Sequence, residues 1–316
     1  MPSWDKFSYL AANRIPFLFI IDYDVKNVLA YPLDELHSED IEFSIEEQQE
    51  KSVKRIEIKK FPISFQSYEE KFNTIIEEIK NGNTYLLNFT QPTPIEINAD
   101  LKEIYNHSRA RFKLRFKDKF VSFSPEPFVS IQDNKIETFP MKGTIDASIE
   151  NAKEKILADK KELAEHIMIV DLLRNDLGQI GSEVKLEKFR YLEKVHSFDR
   201  TLLQVSSHIS ARLLPDWNER LGEIFKRLLP AGSISGTPKR SSCQIIDRVE
   251  GYNRGFFSGV FGVYDGETLK SSVLIRYIEK NGDKLLYKSG GGITLDSNAL
   301  DEYRELNEKI YIPNIS

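Results

Sequence analysis

The stretch that decides the fold is FFSGVFGVYDGETLKSSVLIRYIEKNGDKLLYKSGGG, residues 256–292. It contains three runs rich in β-branched and aromatic residues, which predict strands at Phe256–Tyr264, Leu269–Tyr277 and Lys284–Ser289. The dipeptides Asp265-Gly266 and Asn281-Gly282 separate these runs, and both are strong hairpin signals. Because strands joined by hairpins run antiparallel, we expect this part of the chain to form antiparallel sheet.

Helical patterns alternate with such strands along the rest of the chain. Apolar residues recur at spacings of three and four from Ser67 to Lys80 and from Asn151 to Leu177, which predicts two amphipathic helices. A final helix is predicted from Ser297 to Ile310, and the densely charged segment Glu46 to Lys60 predicts a solvated connector. Antiparallel strands interleaved with long helices favour the α+β class over a doubly wound parallel sheet.

The composition excludes several classes of protein. The chain has 316 residues, of which 44 are Lys or Arg and 49 are Asp or Glu, and the net charge of −5 argues against nucleic acid as a partner. Cys243 is the single cysteine, so an internal disulfide and a cysteine-rich zinc site are excluded. The N-terminal residues lack a secretory pattern and no apolar run approaches the ~20 residues that span a bilayer, so we expect a cytoplasmic protein without membrane contact.

Two predicted helices carry acidic pairs at i, i+3 spacing, which places the members of each pair on one helical face. The pairs are Glu162 with Glu165 and Glu302 with Glu305. If the two faces meet, their oxygens suit Mg²⁺, which is typically held by one or two carboxylates with waters and substrate oxygens. Solvated helix carboxylates are the other interpretation, and the spacing alone does not decide between them.

Two glycine-bearing segments could present backbone N–H groups to an anion. Gly232 to Gly236 precedes a predicted helix start, and Gly290 to Gly292 follows a predicted strand, where a tight connection would also require glycine. Lys142 comes directly after a predicted strand, between proline and glycine, and a desolvated lysine there could act as a nucleophile. A surface turn lysine has the same pattern.

Short motifs that include these residues occur in a fixed order along the chain. They are Ser124-Pro-Glu-Pro-Phe128, Pro140-Met-Lys-Gly-Thr144, Glu165-His-Ile-Met-Ile-Val-Asp-Leu-Leu-Arg-Asn-Asp176, Gly232-Ser-Ile-Ser-Gly-Thr-Pro-Lys239, Ile275-Arg276, Gly290-Gly-Gly292 and Glu302-Tyr-Arg-Glu305 with Lys309. In this order they resemble the chorismate-utilising enzymes, and among them component I of the aminodeoxychorismate synthases. The resemblance implies an α+β fold like that of anthranilate synthase component I, with two stacked antiparallel β-sheets, outer helices and an active site in the cleft between the sheets.

The resemblance also divides the chain and assigns its site residues. It runs from about Glu70 to the C-terminus, so residues 66–316 are expected to form the chorismate-binding catalytic domain and residues 1–65 a weakly matched N-terminal part of the same fold. It implies that Mg²⁺ holds a carboxylate of chorismate through Glu165 and Glu305, with Glu302 and Glu162 in supporting positions. The residues that it implies for substrate binding are Arg276, Lys309, Gly290, Gly291, Gly292, Thr237 and Gln204, the last where the family often has histidine.

The chemistry that the resemblance implies centres on Lys142 and Glu126. A lysine at position 142 would attack ring C2 while Glu126, as general acid, protonates the departing C4 hydroxyl; ammonia would then enter at C4 and expel the lysine. The product would be 4-amino-4-deoxychorismate, a precursor of 4-aminobenzoate and folate. Because a lysine with a pKa of ~10.4 is only about one part in two thousand neutral at pH 7, we expect burial to lower the pKa of Lys142.

Several alternatives stay open. Anthranilate synthases carry alanine where Lys142 stands, and isochorismate synthases carry a water-activating lysine that aligns on Leu86. A subunit that only binds, or an enzyme that uses pyridoxal phosphate, would be a different class. Because Cys243 has no glycine elbow beside it, we expect the ammonia to come from glutamine through a separate amidotransferase subunit.

Overall fold

The computed structural model describes residues 3–46, 56–196 and 201–313. The α-helices in these ranges are α1 (Ser3–Ala12), α2 (Phe65–Lys80), α3 (Leu101–His107), α4 (Ala152–Ala158), α5 (Lys160–Gly178), α6 (Leu221–Leu228), α7 (Lys239–Glu250) and α8 (Ala299–Glu308). The strands are β1 (Phe17–Ile21), β2 (Val28–Pro32), β3 (Ile41–Ile45), β4 (Ile58–Lys60), β5 (Leu86–Ile97), β6 (Phe112–Phe116), β7 (Phe120–Ser124), β8 (Pro127–Gln132), β9 (Lys135–Thr138), β10 (Met141–Asp146), β11 (Ser182–His196), β12 (Thr201–Arg212), β13 (Gly236–Thr237), β14 (Val260–Tyr264), β15 (Leu269–Val273), β16 (Tyr277–Asn281) and β17 (Lys284–Ile293).

The chain forms two compact units, each built from three separate segments. Unit 1 comprises residues 1–34, 126–232 and 259–273, and unit 2 comprises residues 35–125, 233–258 and 274–316. Each unit contains one sheet, and every strand pair described in both sheets is antiparallel. The predicted α+β class with two antiparallel sheets and helices is therefore confirmed.

In unit 1 the strand order is β10-β12-β9-β8-β15-β14-β1-β2, and β11 also pairs with β12. The apolar strand β1 is fully buried, and its rings pack edge-on against those of the neighbouring helices. Phe7 of α1 and Phe225 of α6 both contact Phe19, with ring centroids 5.3 Å and 5.1 Å away. These aromatic contacts join α1 and α6 to the face of the sheet.

In unit 2 the strand order is β13-β5-β17-β16-β7-β6-β3, and β4 also pairs with β5. Helix α3 packs on this sheet through Leu101, Ile104 and Tyr105, which are buried with Phe123 and Tyr287. Helices α7 and α8 pack near β5 and β17 respectively. The long central strands β5 and β17 thereby position the residues discussed below.

The predicted hairpins exist, but the strand predicted from Leu269 to Tyr277 is wrong. The chain leaves the sheet of unit 1 at Val273, the end of β15, and enters the sheet of unit 2 at Tyr277, the start of β16. Between them Arg276 has a φ of 52°, in the left-handed region, which interrupts the extended backbone. The two hairpins β14–β15 and β16–β17 therefore belong to different sheets.

Three other predictions need correction. The helix predicted over Asn151 to Leu177 is two helices, because the Asp159 side chain accepts a hydrogen bond from the backbone N–H of Glu162 and so begins α5. Gly290 to Gly292 lie inside β17, not after a strand. In the predicted connector, Ile58–Lys60 is a strand, and residues 47–55 lie outside the described residues.

The predicted boundary between residues 1–65 and 66–316 marks where the sequence motifs begin, and it stays a prediction. The two compact units divide the chain at other positions. Among the helices of the described ranges, none combines the length and the apolar character needed to cross a membrane.

Candidate active site

In unit 1, Lys142 lies in an irregularity of strand β10. Met141 pairs with Ser206 and Thr144 pairs with Gln204, so three steps along β10 match two along β12. The extra residue is a β-bulge at Lys142 and Gly143, a feature that redirects side chains and is frequent beside active sites. The motif predicted Lys142 after a strand, whereas the structure has it within one, at a bulge.

The amino group of Lys142 faces carboxylates of unit 1. Its Nζ lies 3.3 Å from Oε2 of Glu165 on α5, and the two side chains are only 21% and 7% exposed. Glu162 lies one turn earlier on the same helix, and its Oε2 would be 3.2 Å from a β-carbon on Gly143. The i, i+3 pair on α5 therefore lines the bulge that carries Lys142, and the interpretation of Glu165 as a solvated carboxylate is wrong.

The charge around Lys142 differs from the sequence expectation. Burial acts to lower the pKa of Lys142, but the carboxylates of Glu165, Glu162 and Glu126 outweigh it and hold that pKa above its usual value. The prediction of a lowered pKa is wrong for these surroundings, because the sequence did not show how many carboxylates face the amine.

Glu126 and Gln204 lie in the same unit. Glu126 directly precedes β8, and its backbone carbonyl accepts hydrogen bonds from the Val273 N–H at 3.2 Å and the Ser272 hydroxyl at 2.8 Å. Its position is thereby fixed against β15, while its side chain is half-buried and contributes to the field at Lys142. Gln204 lies on β12 opposite Thr144, two residues beyond Lys142.

His166 is a buried residue of this region that the sequence reasoning did not select. Its Nε2 lies 2.6 Å from the Ser207 hydroxyl, whose oxygen also accepts from the Arg190 N–H at 3.0 Å. The Ser207 N–H donates to the carbonyl of Pro140, two residues before Lys142. Burial, with the charges of Arg190 and Lys142, lowers the pKa of His166 to about 4, so the ring is neutral at pH 7. Its position next to Glu165 was the only available signal.

In unit 2, the glycine run of β17 lies against β5. Gly290 pairs with Thr90, and a β-carbon on Gly290 would come within 2.4 Å of both the Phe89 carbonyl oxygen and the Thr90 methyl group. Glycine is required there by the close approach of β5, whereas the sequence suggested a tight connection. The Gly290 carbonyl accepts a hydrogen bond from Lys309 Nζ at 2.9 Å.

Gly291 forms the floor of a small charged cradle. A β-carbon on Gly291 would lie 3.5 Å from Glu302 Oε2, 3.6 Å from Lys309 Nζ and 3.7 Å from Glu305 Oε1. Glu302 is buried and accepts from the Ser297 hydroxyl at 2.7 Å, while Glu305 is half-exposed and pairs with Lys309 at 2.6 Å. The structure thus brings both predicted carboxylates of α8 and the predicted lysine to one point of the glycine run.

Arg276 lies next to this cradle. Its Nη1 is 3.5 Å from the Lys309 carbonyl oxygen, and its guanidinium group lies over the ring of Tyr311 with its carbon 5.0 Å from the ring centroid. Tyr311 is a further residue that sequence reasoning missed, because a lone aromatic near the C-terminus gives no signal that it supports an arginine. Cation–π contact of this kind favours one orientation of the guanidinium.

Thr237 lies farther along the same sheet. It pairs with Leu86 in β13, and its carbonyl accepts from the Tyr85 N–H at 2.8 Å. Pro238 occupies the N-cap position of α7 and makes no side-chain capping bond. Leu86, which by the family resemblance aligns with a lysine of isochorismate synthases, is buried at 2% exposure.

The donor set suits a Mg²⁺ ion. Within each unit, no three His, Cys, Asp or Glu side chains of the described residues come close enough to hold a metal ion by themselves. Mg²⁺ does not need such a set, because it is commonly bound through one or two carboxylates and keeps waters and substrate oxygens as its other ligands. The cradle at Gly291 offers two carboxylate oxygens around a space that a methyl group would fill, and the α5 pair offers two more in unit 1.

Comparison with known proteins assigns the chain to a family. Residues 13–313 match the family model of the chorismate binding enzymes. A relative from Pasteurella multocida, named an uncharacterized PabA-like protein, is 44% identical over 307 residues, which are 95% of this chain and 95% of that one. The chain belongs to the family of chorismate-binding enzymes, and an enzyme that acts on chorismate is the class that its fold and site define.

More distant relatives carry names of particular activities. Aminodeoxychorismate synthase component 1 of Salmonella typhimurium is 31% identical over 259 residues, which cover 77% of this chain and 56% of that relative. The crystal structure of anthranilate synthase component I from Streptococcus pneumoniae is 26% identical, with a TM-score of 0.65 over 83% of this chain and 60% of that one. Both names describe enzymes of one family with different products.

Proposed function

We propose that this protein acts as component I of an aminodeoxychorismate synthase, which replaces the C4 hydroxyl of chorismate with an amino group. The observation that carries the proposal is the position of Lys142 at the β10 bulge, 3.3 Å from Glu165 and within the field of two further carboxylates. An anthranilate synthase would have no use for a lysine here, because by the family resemblance its ammonia attacks C2 directly.

The reaction that we propose has two displacement steps. The neutral amine of Lys142 forms a bond to ring C2, both conjugated double bonds of the ring shift towards C4, and the C4 hydroxyl leaves as water with a proton from Glu126. Ammonia then forms a bond to C4, both double bonds shift back, the Lys142 amine leaves from C2, and the new C4 ammonium group returns a proton to Glu126. The net change is chorismate plus ammonia to aminodeoxychorismate plus water.

The protonation of Lys142 is the main electrostatic demand of this mechanism. Its three neighbouring carboxylates favour the ammonium form, so the amine must lose a proton before it attacks. Glu165 Oε2 is the carboxylate oxygen that the ammonium group contacts. Mg²⁺, when bound by carboxylates of the predicted set, would hold a carboxylate of chorismate and compensate the negative charge that stabilises the ammonium.

The remaining predicted residues would bind the anionic substrate. Chorismate carries two carboxylates, which require cations and N–H donors in a desolvated site. In unit 2, Lys309 and Arg276 offer the cations, and the backbone of Gly290 to Gly292 allows close approach because it has no side chains. Tyr311 would hold the Arg276 guanidinium in position.

The test is to trap the covalent adduct. Purified protein is incubated with chorismate and Mg²⁺ without ammonia, and its intact mass should increase by the mass of chorismate less one water. The variant Lys142→Met should form no adduct. Lys113→Met serves as control, because Lys113 is even more buried, at 3% exposure, but donates to the carbonyls of Tyr105 and Ser108 in unit 2.

Product analysis separates the proposal from its nearest alternative. With ammonium salt present, mass spectrometry should find aminodeoxychorismate in the wild-type reaction, and an added lyase should convert it to 4-aminobenzoate. Anthranilate as the product would instead support the activity named for the Streptococcus pneumoniae relative. Undiminished aminodeoxychorismate formation by Lys142→Met would remove the nucleophile assignment.

A further inference from the structure

A buried ion pair lies behind the glycine run in unit 2, and nothing in the proposed reaction uses it. Glu250, the last residue of α7, and Arg254 form this pair, with side chains 0% and 1% exposed. Arg254 Nε donates to Glu250 Oε2 at 2.8 Å, and Nη2 donates to Oε1 at 2.6 Å. This two-pronged geometry fixes the orientation of both side chains.

The carboxylate of Glu250 also holds strand β5. Its Oε1 accepts from both the N–H and the hydroxyl of Thr90, each at 2.7 Å. Because the Thr90 hydroxyl proton goes to Glu250, the Tyr252 hydroxyl, 2.6 Å away, donates to the Thr90 oxygen. Thr90 is the direct partner of Gly290 in the sheet, so Glu250 is one residue removed from the glycine run.

The guanidinium of Arg254 holds two further segments. Nη2 donates to the Asn88 carbonyl at 2.7 Å, and Asn88 is the partner of Gly292 in the sheet. Nη1 donates to the Ile234 carbonyl at 2.8 Å, in the segment that leads to Thr237. The two segments are also joined directly, because the Asn88 N–H donates to the Ser235 carbonyl at 2.9 Å.

We infer that Glu250 and Arg254 are positioning residues that fix the backbone of Gly290–Gly292 and of Ser233–Thr237, and that they thereby set the affinity for chorismate. The inference rests on the proposed function in one respect, which is that both segments bind chorismate. Neither Glu250 nor Arg254 needs to touch the substrate, because both act through residues 88, 90 and 234.

A matched pair of substitutions tests this. Arg254→Lys keeps the positive charge, but an ammonium group cannot replace the planar set of Nε and Nη donors of the guanidinium. Arg115→Lys is the control, since Arg115 is also in unit 2, is 5% exposed, and donates to Asp40, Glu42 and the Lys117 carbonyl at a different part of the sheet. Both substitutions should lower the melting temperature, so a loss of stability alone decides nothing.

The decisive measurements are chorismate binding by calorimetry with Mg²⁺ and amide hydrogen exchange. Arg254→Lys should weaken chorismate binding by about 10-fold or more, which corresponds to a loss of about 1.4 kcal/mol or more of binding free energy. It should also raise exchange in residues 233–237 and 286–293, whereas Arg115→Lys should raise it in β3 and β6 and bind chorismate as the wild type does. Where turnover is measured, KM should rise far more than kcat falls, because Lys142 and Glu126 belong to unit 1.

A milder pair of variants covers the case in which Arg254→Lys does not fold. Thr90→Val removes the hydroxyl that donates a hydrogen bond to Glu250, and Thr90→Ser keeps it, so binding should weaken in the first variant and stay near the wild-type value in the second. The inference would be overturned if amide exchange in both segments of the Arg254→Lys or Thr90→Val protein matched that of the wild type. It would also be overturned if the Arg115→Lys control lost as much chorismate affinity as Arg254→Lys. A wild-type protein that binds chorismate but forms no aminodeoxychorismate would instead refute the proposed reaction and leave these measurements intact.

Discussion

Replacing Gly291 with alanine should weaken chorismate binding by about 10²-fold without unfolding the protein. The new methyl group would lie 3.5 Å from Glu302 Oε2, 3.6 Å from Lys309 Nζ and 3.7 Å from Glu305 Oε1, all ordinary contact distances. No backbone atom is displaced, so the native structure has room for it. Removing a glycine also reduces the entropy of the unfolded chain, which typically stabilises a protein by about 0.4–1 kcal/mol at a compatible position. Stability should therefore stay within about 1 kcal/mol of the wild type, a shift of a few °C.

The expected effect on binding follows from the same distances. A carboxylate oxygen that accepts from Lys309 needs to come within about 2.7–2.9 Å of Nζ. With a methyl carbon only 3.6 Å from that nitrogen, the oxygen is excluded from the side of Nζ that faces the glycine run. We expect the affinity for chorismate to fall by about 10²-fold, which corresponds to about 2.7 kcal/mol.

Gly290→Ala is the matched control, because its methyl group would come within 2.4 Å of the Phe89 carbonyl oxygen. Overpacking against backbone costs about 1–3 kcal/mol or more, so this variant should melt well below the wild type. Calorimetry with chorismate and Mg²⁺ gives the affinities, and thermal unfolding followed by circular dichroism gives the stabilities. A Gly291→Ala protein that binds chorismate as tightly as the wild type would refute the assignment of this cradle to the substrate.

Three other outcomes are expected. Glu126→Gln should leave chorismate binding intact and lower turnover by about 10²–10⁴-fold, which is the usual contribution of a general acid. Steady-state kinetics would measure this, and normal turnover would show that another group is the acid. Because burial, aided by Arg190 and Lys142, lowers the pKa of His166 to about 4, its stabilising contribution is complete above the unfolded pKa of ~6.5 and is lost as the pH falls towards 4. Urea unfolding of His166→Gln should thus show a weaker loss of stability between these pH values, and a slope equal to that of the wild type would contradict this. The purified chain should use ammonia but not glutamine, and its activity should rise with pH because more NH₃ forms. Glutaminase activity that persists in Cys243→Ala would show that no separate amidotransferase is needed.

Local signals predicted a large part of the fold. The Asp265-Gly266 and Asn281-Gly282 turns are hairpins because turn conformation depends on the residues of the turn itself. The break at Arg276 was missed because the sequence from Leu269 to Tyr277 does not show that its two ends belong to different sheets. Strands β11 and β12 were also missed, since their pairing is not marked by a turn signal of this kind.

For the site, local motifs predicted which residues matter but not the contacts between residues that lie far apart in the chain. The motifs selected Lys142, Glu165 and the glycine run, but the spacing could not show that Glu165 is buried against Lys142, because that contact joins a helix to a strand. The bulge at Lys142 exists only through the register with β12. The need for glycine at position 290 likewise comes from β5, about two hundred residues earlier in the chain.

The three-segment construction of each unit affects how a nascent chain can fold. Among the strands that the structure describes, only β14 and β15 join the N-terminal hairpin β1–β2 to the rest of the unit 1 sheet, by pairing with β1 and β8 respectively. The ribosome must therefore synthesise the chain as far as Val273 before β1 and β2, which are made first, can join the rest of their sheet. Until then the apolar strand β1 pairs with β2 but lacks β14 on its other edge. Chaperones that shield β1 during synthesis should therefore matter more for the yield of this protein than for one whose strands pair in chain order.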